Sequence, residues 1–428
     1  MEQSNKRFLY AAAAVAILAP ILNYYGYGFL SLAFVAVSLL FVCWFCRKGV
    51  IKFMYTPPML WFIAYYCFMW AINSSSVSGM IAPSIIFIFL LWGFMNMELK
   101  ISIFLKTYRI VTFVSIALFI IQELSYFTTG VRIPGLLTFL PLTISDNVSD
   151  WSESVSTSER SAGLFSEPAH FVQFLLPITC AELFYVKNKK AYIRSAVYIA
   201  VLLLLRSGNA LIGICVITLF FIASIMRRMQ LIPALLISCF CIGAIAVPAG
   251  YYFQTENGMK LLERTEELDP DTDKVSSGFK RAIRGYYVWG AMSPVEKIVG
   301  LNSTEKLENT IKRSSVNWAF DDNDRYLNAF QTVLIQNGLI GVALFLSIII
   351  SIWRANNLAG RCCLTAYVAL SFIASIFFSY TMLLYFLFAM LMHKEQLSKK
   401  QYCWGKLVIF TLHTRKNEKS VVDNYSLD

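Results

Sequence analysis

Charge is scarce in this chain. Asp, Glu, Lys and Arg make up 15% of its 428 residues, where a soluble domain carries nearer a quarter. Histidine is scarcer still, with His170, His393 and His413 the only three. Glycine-rich phosphate loops of the P-loop type are absent, so nothing in the sequence points to nucleotide hydrolysis. Apolar residues fill the space instead, at 57% or about 244 positions, against roughly 20 for each membrane crossing. That is material for about twelve crossings, and it excludes an ordinary soluble enzyme, a disordered protein and a single-anchor receptor. The net charge of +11 would suggest nucleic acid in a soluble protein. Here it is first set against the Lys and Arg excess of cytoplasmic membrane loops.

Apolar runs bounded by charge predict helices near 8–25, 28–46, 57–73, 79–96, 105–125, 169–187, 192–206, 209–226, 231–253, 333–353, 362–378 and 379–393. The predicted fold is an all-α polytopic membrane protein of about twelve helices, with ten to twelve as the range. Residues 1–125 hold the first five helices, 126–168 a first large loop, and 169–253 helices six to nine. A second large loop at 254–332, helices ten to twelve at 333–393 and a solvated tail at 394–428 complete the chain.

With the N-terminus inside, the inner connections hold Arg47, Lys48, Lys189, Lys190, Arg227 and Arg228 among many others. The short outer connections hold only Arg132, Arg160 and Arg206. Lys and Arg near helix ends resist translocation, so both termini are expected in the cytoplasm and both large loops outside. The first apolar stretch lacks a small-residue cleavage pattern and is expected to be a retained helix. None of the ten cysteines falls in either outer loop, so disulfide stapling there is not expected. Cys43 and Cys46 have CxxC spacing inside an apolar helix and no partner cluster, and are read as packing residues.

A multi-histidine metal site on the outer face is excluded, because His393 and His413 are cytoplasmic by this topology. Asp269, Asp271 and Asp273 lack the glycine and terminal glutamate of an EF-hand loop and read as a solvated turn. The informative stretch is Arg160-Ser-Ala-Gly-Leu-Phe-Ser-Glu167-Pro168-Ala-His170-Phe171, leading directly into an apolar segment. Pro168 suits a first helical turn, so a helix should start there with its partly positive end facing out, a place that attracts phosphate. Glu167 and His170, three apart, share a face, which suits one as a base for an acceptor hydroxyl and the other as its orienting group. Arg160 can clamp a phosphate bidentately. The same residues also read as an ordinary helix start with a dipole-favoured glutamate and a surface histidine.

Arg206 ends a run of leucines at the outer boundary, where a cation must reach water, lipid phosphate or a ligand. Lys280, Arg281 and Arg284 would share one face if helical and could hold a diphosphate; a solvated face is the alternative. The run from Asp321 to Tyr326 reads as a capping region for the next helix. Predicted helix centres carry no firmly placed ionisable residue, which disfavours an ion-coupled transporter, though Gln173 and Asn209 could line a polar path.

The residues from Arg160 to Phe171 resemble the Arg, Gly, Phe, Glu-Pro, His or Phe pattern of Wzy-type O-antigen and polysaccharide polymerases. RSGNALIGICV and QNGLIGVALFL resemble two later helices of that family, and the likeness covers roughly residues 155 to 350. The resemblance implies a GT-C-like membrane glycosyltransferase, independent of metal and without a cofactor, in the bacterial inner membrane. Its substrate would be an undecaprenyl diphosphate-linked oligosaccharide, and its partners membrane lipid, a chain-length regulator and a flippase, with no nucleic acid. Arg160, Glu167 and His170 match the family motif as catalytic residues. Arg206, Arg281 and Arg284 are assigned to diphosphate binding from position and charge alone. Related O-antigen ligases resemble a pattern with histidine before the helix that follows the long loop, whereas this chain reads DDNDRYLNAF there. A lipid-linked oligosaccharide flippase is the reading from a different class.

Overall fold

The computed structural model describes residues 2–27, 30–48, 50–55, 57–73, 91, 93–97, 99–135, 143–144, 160–226, 277–320, 326–399 and 408–413. The predicted helix at 231–253 and most of that at 79–96 lie outside the described residues, as do Asp269, Asp271, Asp273 and the run 321–325.

The described chain is predominantly helical. Helices α1 (Glu2–Leu22), α2 (Leu32–Lys48), α3 (Pro57–Asn73) and α4 (Ile101–Thr129) are followed by α5 (Pro168–Phe184), α6 (Lys189–Leu204) and α7 (Gly208–Met226). Four short helices come next: α8 (Ser277–Ala282), α9 (Arg284–Gly290), α10 (Pro294–Val299) and α11 (Thr304–Arg313), with a 3-10 turn at Asn317–Ala319. Helices α12 (Ala329–Ala355), α13 (Leu358–Ser371) and α14 (Tyr380–Lys399) complete the set. Among the described residues, α1, α4, α7 and α12 are long and apolar enough to cross a membrane.

Burial separates the helices into a centre and a wrapping. From Phe171 to Glu182 every residue of α5 is buried, and α14 is buried from Met382 to Ala389. Such helices are apolar all round because protein surrounds them. Around α5 pack α4, α6, α7, α13 and α14, while α1 lies against α2, α4 and α14. The wrapping helices turn apolar side chains outward, as α4 does with Phe113, Ile120 and Phe127. The short α13, 14 residues long, spans about 21 Å. It can stop short of a membrane's width because its buried face needs no lipid match.

Several sequence expectations change in detail. The boundary between the first two helices is a small antiparallel sheet, in which β1 (Tyr25–Tyr27) pairs with β2 (Leu30–Ser31) and with β4 (Thr143–Ile144) of the first large loop. The first part of the tail continues α14 to Lys399, and β5 (Val408–His413) pairs with β3 (Val50–Tyr55). Cys43 and Cys46 are exposed on α2, and among the described residues the buried cysteines are Cys180, Cys362 and Cys363. Glu182, near the end of α5, is fully buried between Arg109 of α4 and Arg194 of α6. A buried carboxylate is tolerated only where cations and hydrogen bonds replace water.

Among the described residues, one strong break inside a helix falls at Gly338 of α12, whose φ of 62° and ψ of −170° no helix contains. Glycine is required there: a Cβ would lie 2.3 Å from the Ile298 carbonyl oxygen. The break lets the segment after α10 zip onto the first part of α12. Leu301 and Asn302 backbone N–H groups donate to the carbonyls of Ile335 and Gln336, at 3.0 and 3.1 Å. Tyr65 of α3 secures the junction by hydrogen bonding to the carbonyls of Val299 and Asn337. Interrupted backbone deep in a bundle must find such partners, since there is little water to supply them.

Candidate functional site

One end of the bundle gathers the C-termini of α1, α4, α6 and α13 and the N-termini of α5 and α12. The segment Arg160–Glu167 crosses this end and is fixed from below. Gln122 of α4 is buried and accepts hydrogen bonds from the backbone N–H groups of Ala162 and Gly163, at 3.2 and 2.8 Å, while donating to the Gly163 carbonyl at 3.0 Å. Gly163 has a φ of 62°, and a Cβ there would meet the Ser115 carbonyl oxygen at 2.8 Å. Arg132, also buried, donates to Ser161 Oγ at 2.9 Å and lies over the Tyr126 ring. These contacts hold the motif backbone and leave Glu167 and His170 to face what lies beyond it.

Helix α5 starts at Pro168 with Glu167 as its N-cap, and the Glu167 carbonyl accepts from the His170 and Phe171 N–H groups. An N-cap side chain normally accepts a hydrogen bond from the first turn. Glu167 makes no such cap. Its carboxylate instead lies 3.7 Å from Arg281 Nη2, with both side chains partly exposed. Partly exposed pairs at that separation contribute at most about 1 kcal/mol, so a competing hydroxyl or phosphate can open this one. His170 sits one turn further along. Its Nδ1 is 3.0 Å from the Tyr24 hydroxyl and 3.1 Å from Ser166 Oγ, and its ring stacks on Tyr24. Donation from Nδ1 to Ser166 leaves Nε2 an acceptor, and donation from Tyr24 leaves it a donor.

Arg281 reaches Glu167 because α8 is anchored to the start of α12. Asn328, the N-cap of α12, forms a capping box with Gln331. The spare donors of both side chains bind the end of α8: Asn328 Nδ2 to the Arg281 carbonyl at 2.8 Å and Gln331 Nε2 to the Ala282 carbonyl at 2.9 Å. Asn328 also donates to the Phe372 carbonyl at 2.7 Å, tying in the turn after α13. Tyr326 belongs to the same assembly, donating to the Ile373 carbonyl and accepting from the Ser375 N–H, with the Arg281 guanidinium 5.8 Å from its ring. Burial pushes the Tyr326 phenol above its ordinary value, so it stays a neutral donor.

The sequence-predicted residues therefore separate. Glu167, His170 and Arg281 come together. Arg160 lies with Arg206, donating to its carbonyl from Nη1 at 3.4 Å, and Arg206 holds a left-handed φ of 48° at the end of α6. Arg284 does not share a face with Arg281, because the chain breaks at Ile283 between α8 and α9. Its side chain is fully buried and donates to the Tyr326 carbonyl from Nε and Nη2, at 3.0 and 2.6 Å, and to the Ala319 carbonyl from Nη1 at 2.9 Å. Sequence reasoning missed Tyr24, Gln122, Ser166, Tyr326 and Asn328. Only Asn328 carried a local signal, the cap residue three before Gln331.

Fold and site together define a helical chain of membrane type with a polar site at one end of its bundle, built around a carboxylate, an imidazole and an arginine. Comparison with known protein families and with characterised proteins finds no match to the sequence.

Proposed function

We propose that this chain is an O-antigen polymerase of the Wzy type, a twelve-helix GT-C-like glycosyltransferase of the bacterial inner membrane. Both termini lie in the cytoplasm and the site end faces the periplasm. The observation that carries this reading is the convergence of Glu167, His170 and Arg281 at the N-terminus of α5, from two loops far apart in sequence.

In the reaction, a hydroxyl of the acceptor repeat attacks the anomeric carbon of the growing chain. The new glycosidic C–O bond forms as the C–O bond to undecaprenyl diphosphate breaks, and the diphosphate leaves with the electron pair. The hydroxyl proton passes to the Glu167 carboxylate or to His170 Nε2, both within one helical turn. Arg281 offsets the charge that builds on the leaving diphosphate. The loose Glu167–Arg281 pair suits this division, since substrate binding can recruit the arginine to phosphate and free the carboxylate. Metal independence is part of the proposal.

Replacing Glu167 or Arg160 with Ala should abolish long polysaccharide chains at unchanged protein level. A wild-type ladder in both variants would remove the site assignment. Deleting the gene separates the alternatives: lipopolysaccharide core carrying one repeat marks lost polymerisation, while core with no repeat marks a flippase or ligase.

A further inference from the structure

Beside the site lies an aromatic surface that the proposed chemistry leaves unused. Phe279, two residues before Arg281 on α8, is buried in a small core with Val316 and Ala319. The Trp318 ring lies nearly parallel to it, at 12° and a centroid distance of 6.3 Å, and is 54% exposed. Tyr287 of α9 meets Phe279 from another direction at 6.3 Å, and Tyr286 and Tyr287 are both exposed. A buried phenyl ring thus holds two aromatic rings in place at the surface.

Exposed aromatics on such a chain suit either lipid or a water-borne ligand, and the neighbours decide between them. The Trp318 turn packs against α11, which exposes Glu305, Lys306, Lys312 and Arg313. That many charges do not enter hydrocarbon. Trp318 faces water.

We propose that Trp318 and Tyr287, seated on Phe279, form a saccharide-binding platform that holds the sugar chain entering or leaving the Glu167–Arg281 site. One face of a pyranose ring is lined with C–H groups, which carry partial positive charge and stack on the electron-rich face of an indole or phenol. The tyrosine hydroxyls offer hydrogen bonds to sugar hydroxyls at the rim. Phe279 stands two residues before Arg281 on α8, which keeps a chain bound at the platform near the reacting groups. This inference rests on the polymerase reading for its direction, not for the binding itself.

The test uses the full-length protein in lipid nanodiscs, with the source strain's surface polysaccharide, freed of lipid by mild acid, as probe and calorimetry as readout. Wild type should bind, Trp318→Ala should bind about tenfold more weakly, and Trp318→Phe should stay within about threefold of wild type. Each variant must elute as a single species. Trp318→Ala binding as tightly as wild type, or wild type failing to bind, overturns the platform. If either occurs while Glu167→Ala still loses the ladder in cells, only the platform falls. If Trp318-dependent binding stands but Glu167→Ala keeps the ladder, only the polymerase site falls.

Discussion

Arg284→Lys separates two roles that charge alone cannot. A diphosphate-binding arginine replaced by lysine keeps its positive charge and part of its function. The geometry of Arg284 demands more than charge. Three N–H groups in one plane serve two carbonyls, those of Tyr326 and Ala319, and the guanidinium lies over the Phe320 ring at 4.4 Å. A lysine ammonium is a single point and cannot reach both carbonyls in that fork. Losing one or two hydrogen bonds from a buried charged donor costs about 1.5–3 kcal/mol each, and lost stacking adds roughly 0.5–1 kcal/mol. We expect a loss of about 3–5 kcal/mol, which loosens the Tyr326 segment and with it α8 and Arg281. Thermal unfolding in detergent, followed by size-exclusion chromatography, should show Arg284→Lys melting well below wild type. Arg281→Lys, at a partly exposed position, should unfold within about 0.5 kcal/mol of wild type. Arg284→Lys that melts with wild type yet lacks polymer would refute the reasoning and return Arg284 to the ligand.

Gly338→Ala should cost about 3 kcal/mol or more, from backbone strain and collision with the Ile298 carbonyl; hydrogen exchange should rise across Leu301 and Asn302, and unchanged protection there would contradict the zipped junction. Gln122→Leu keeps the volume but strands the N–H groups of Ala162 and Gly163, so about 2–4 kcal/mol should be lost with the ladder, and full activity would show that the motif needs no such support. Glu182→Gln leaves Arg109 and Arg194 facing a neutral amide; both are about 30% exposed, which limits the expected loss to about 1–3 kcal/mol, read as a lower melting temperature. The Ser293 backbone N–H holds the Glu296 carboxyl below its ordinary 4.5. Its support of α10 is therefore complete above that pH and fades as pH falls through the lower folded value, so protection across residues 293–299 should weaken as pH falls below 4.5 in wild type and not in Glu296→Ala.

How much was legible beforehand follows from which forces act locally. Apolar runs report the solvent around a segment, and α3, α5, α7 and α12 start within a few residues of their predicted positions. Pro168 marked the start of α5 because a proline's missing N–H costs nothing in a first turn. The described part of the loop at 254–332 folds as short helices. Arg284 was the instructive difference. Spacing assumed one continuous helix from 280 to 284, and the break at Ile283 turned one arginine toward Glu167 and the other into the core.

By itself the sequence determined that the chain is helical and of membrane type, and which stretch carries a carboxylate, an imidazole and an arginine close together. Only the tertiary structure decided that Arg281 meets Glu167 across 114 residues, that Tyr24 and Ser166 hold His170, and that Gln122 holds the motif. The physical reason is range. Hydrophobicity and helix capping act within a turn or two and are written locally, whereas the position of a loop depends on which distant carbonyls and N–H groups remain to be satisfied once the helices have packed.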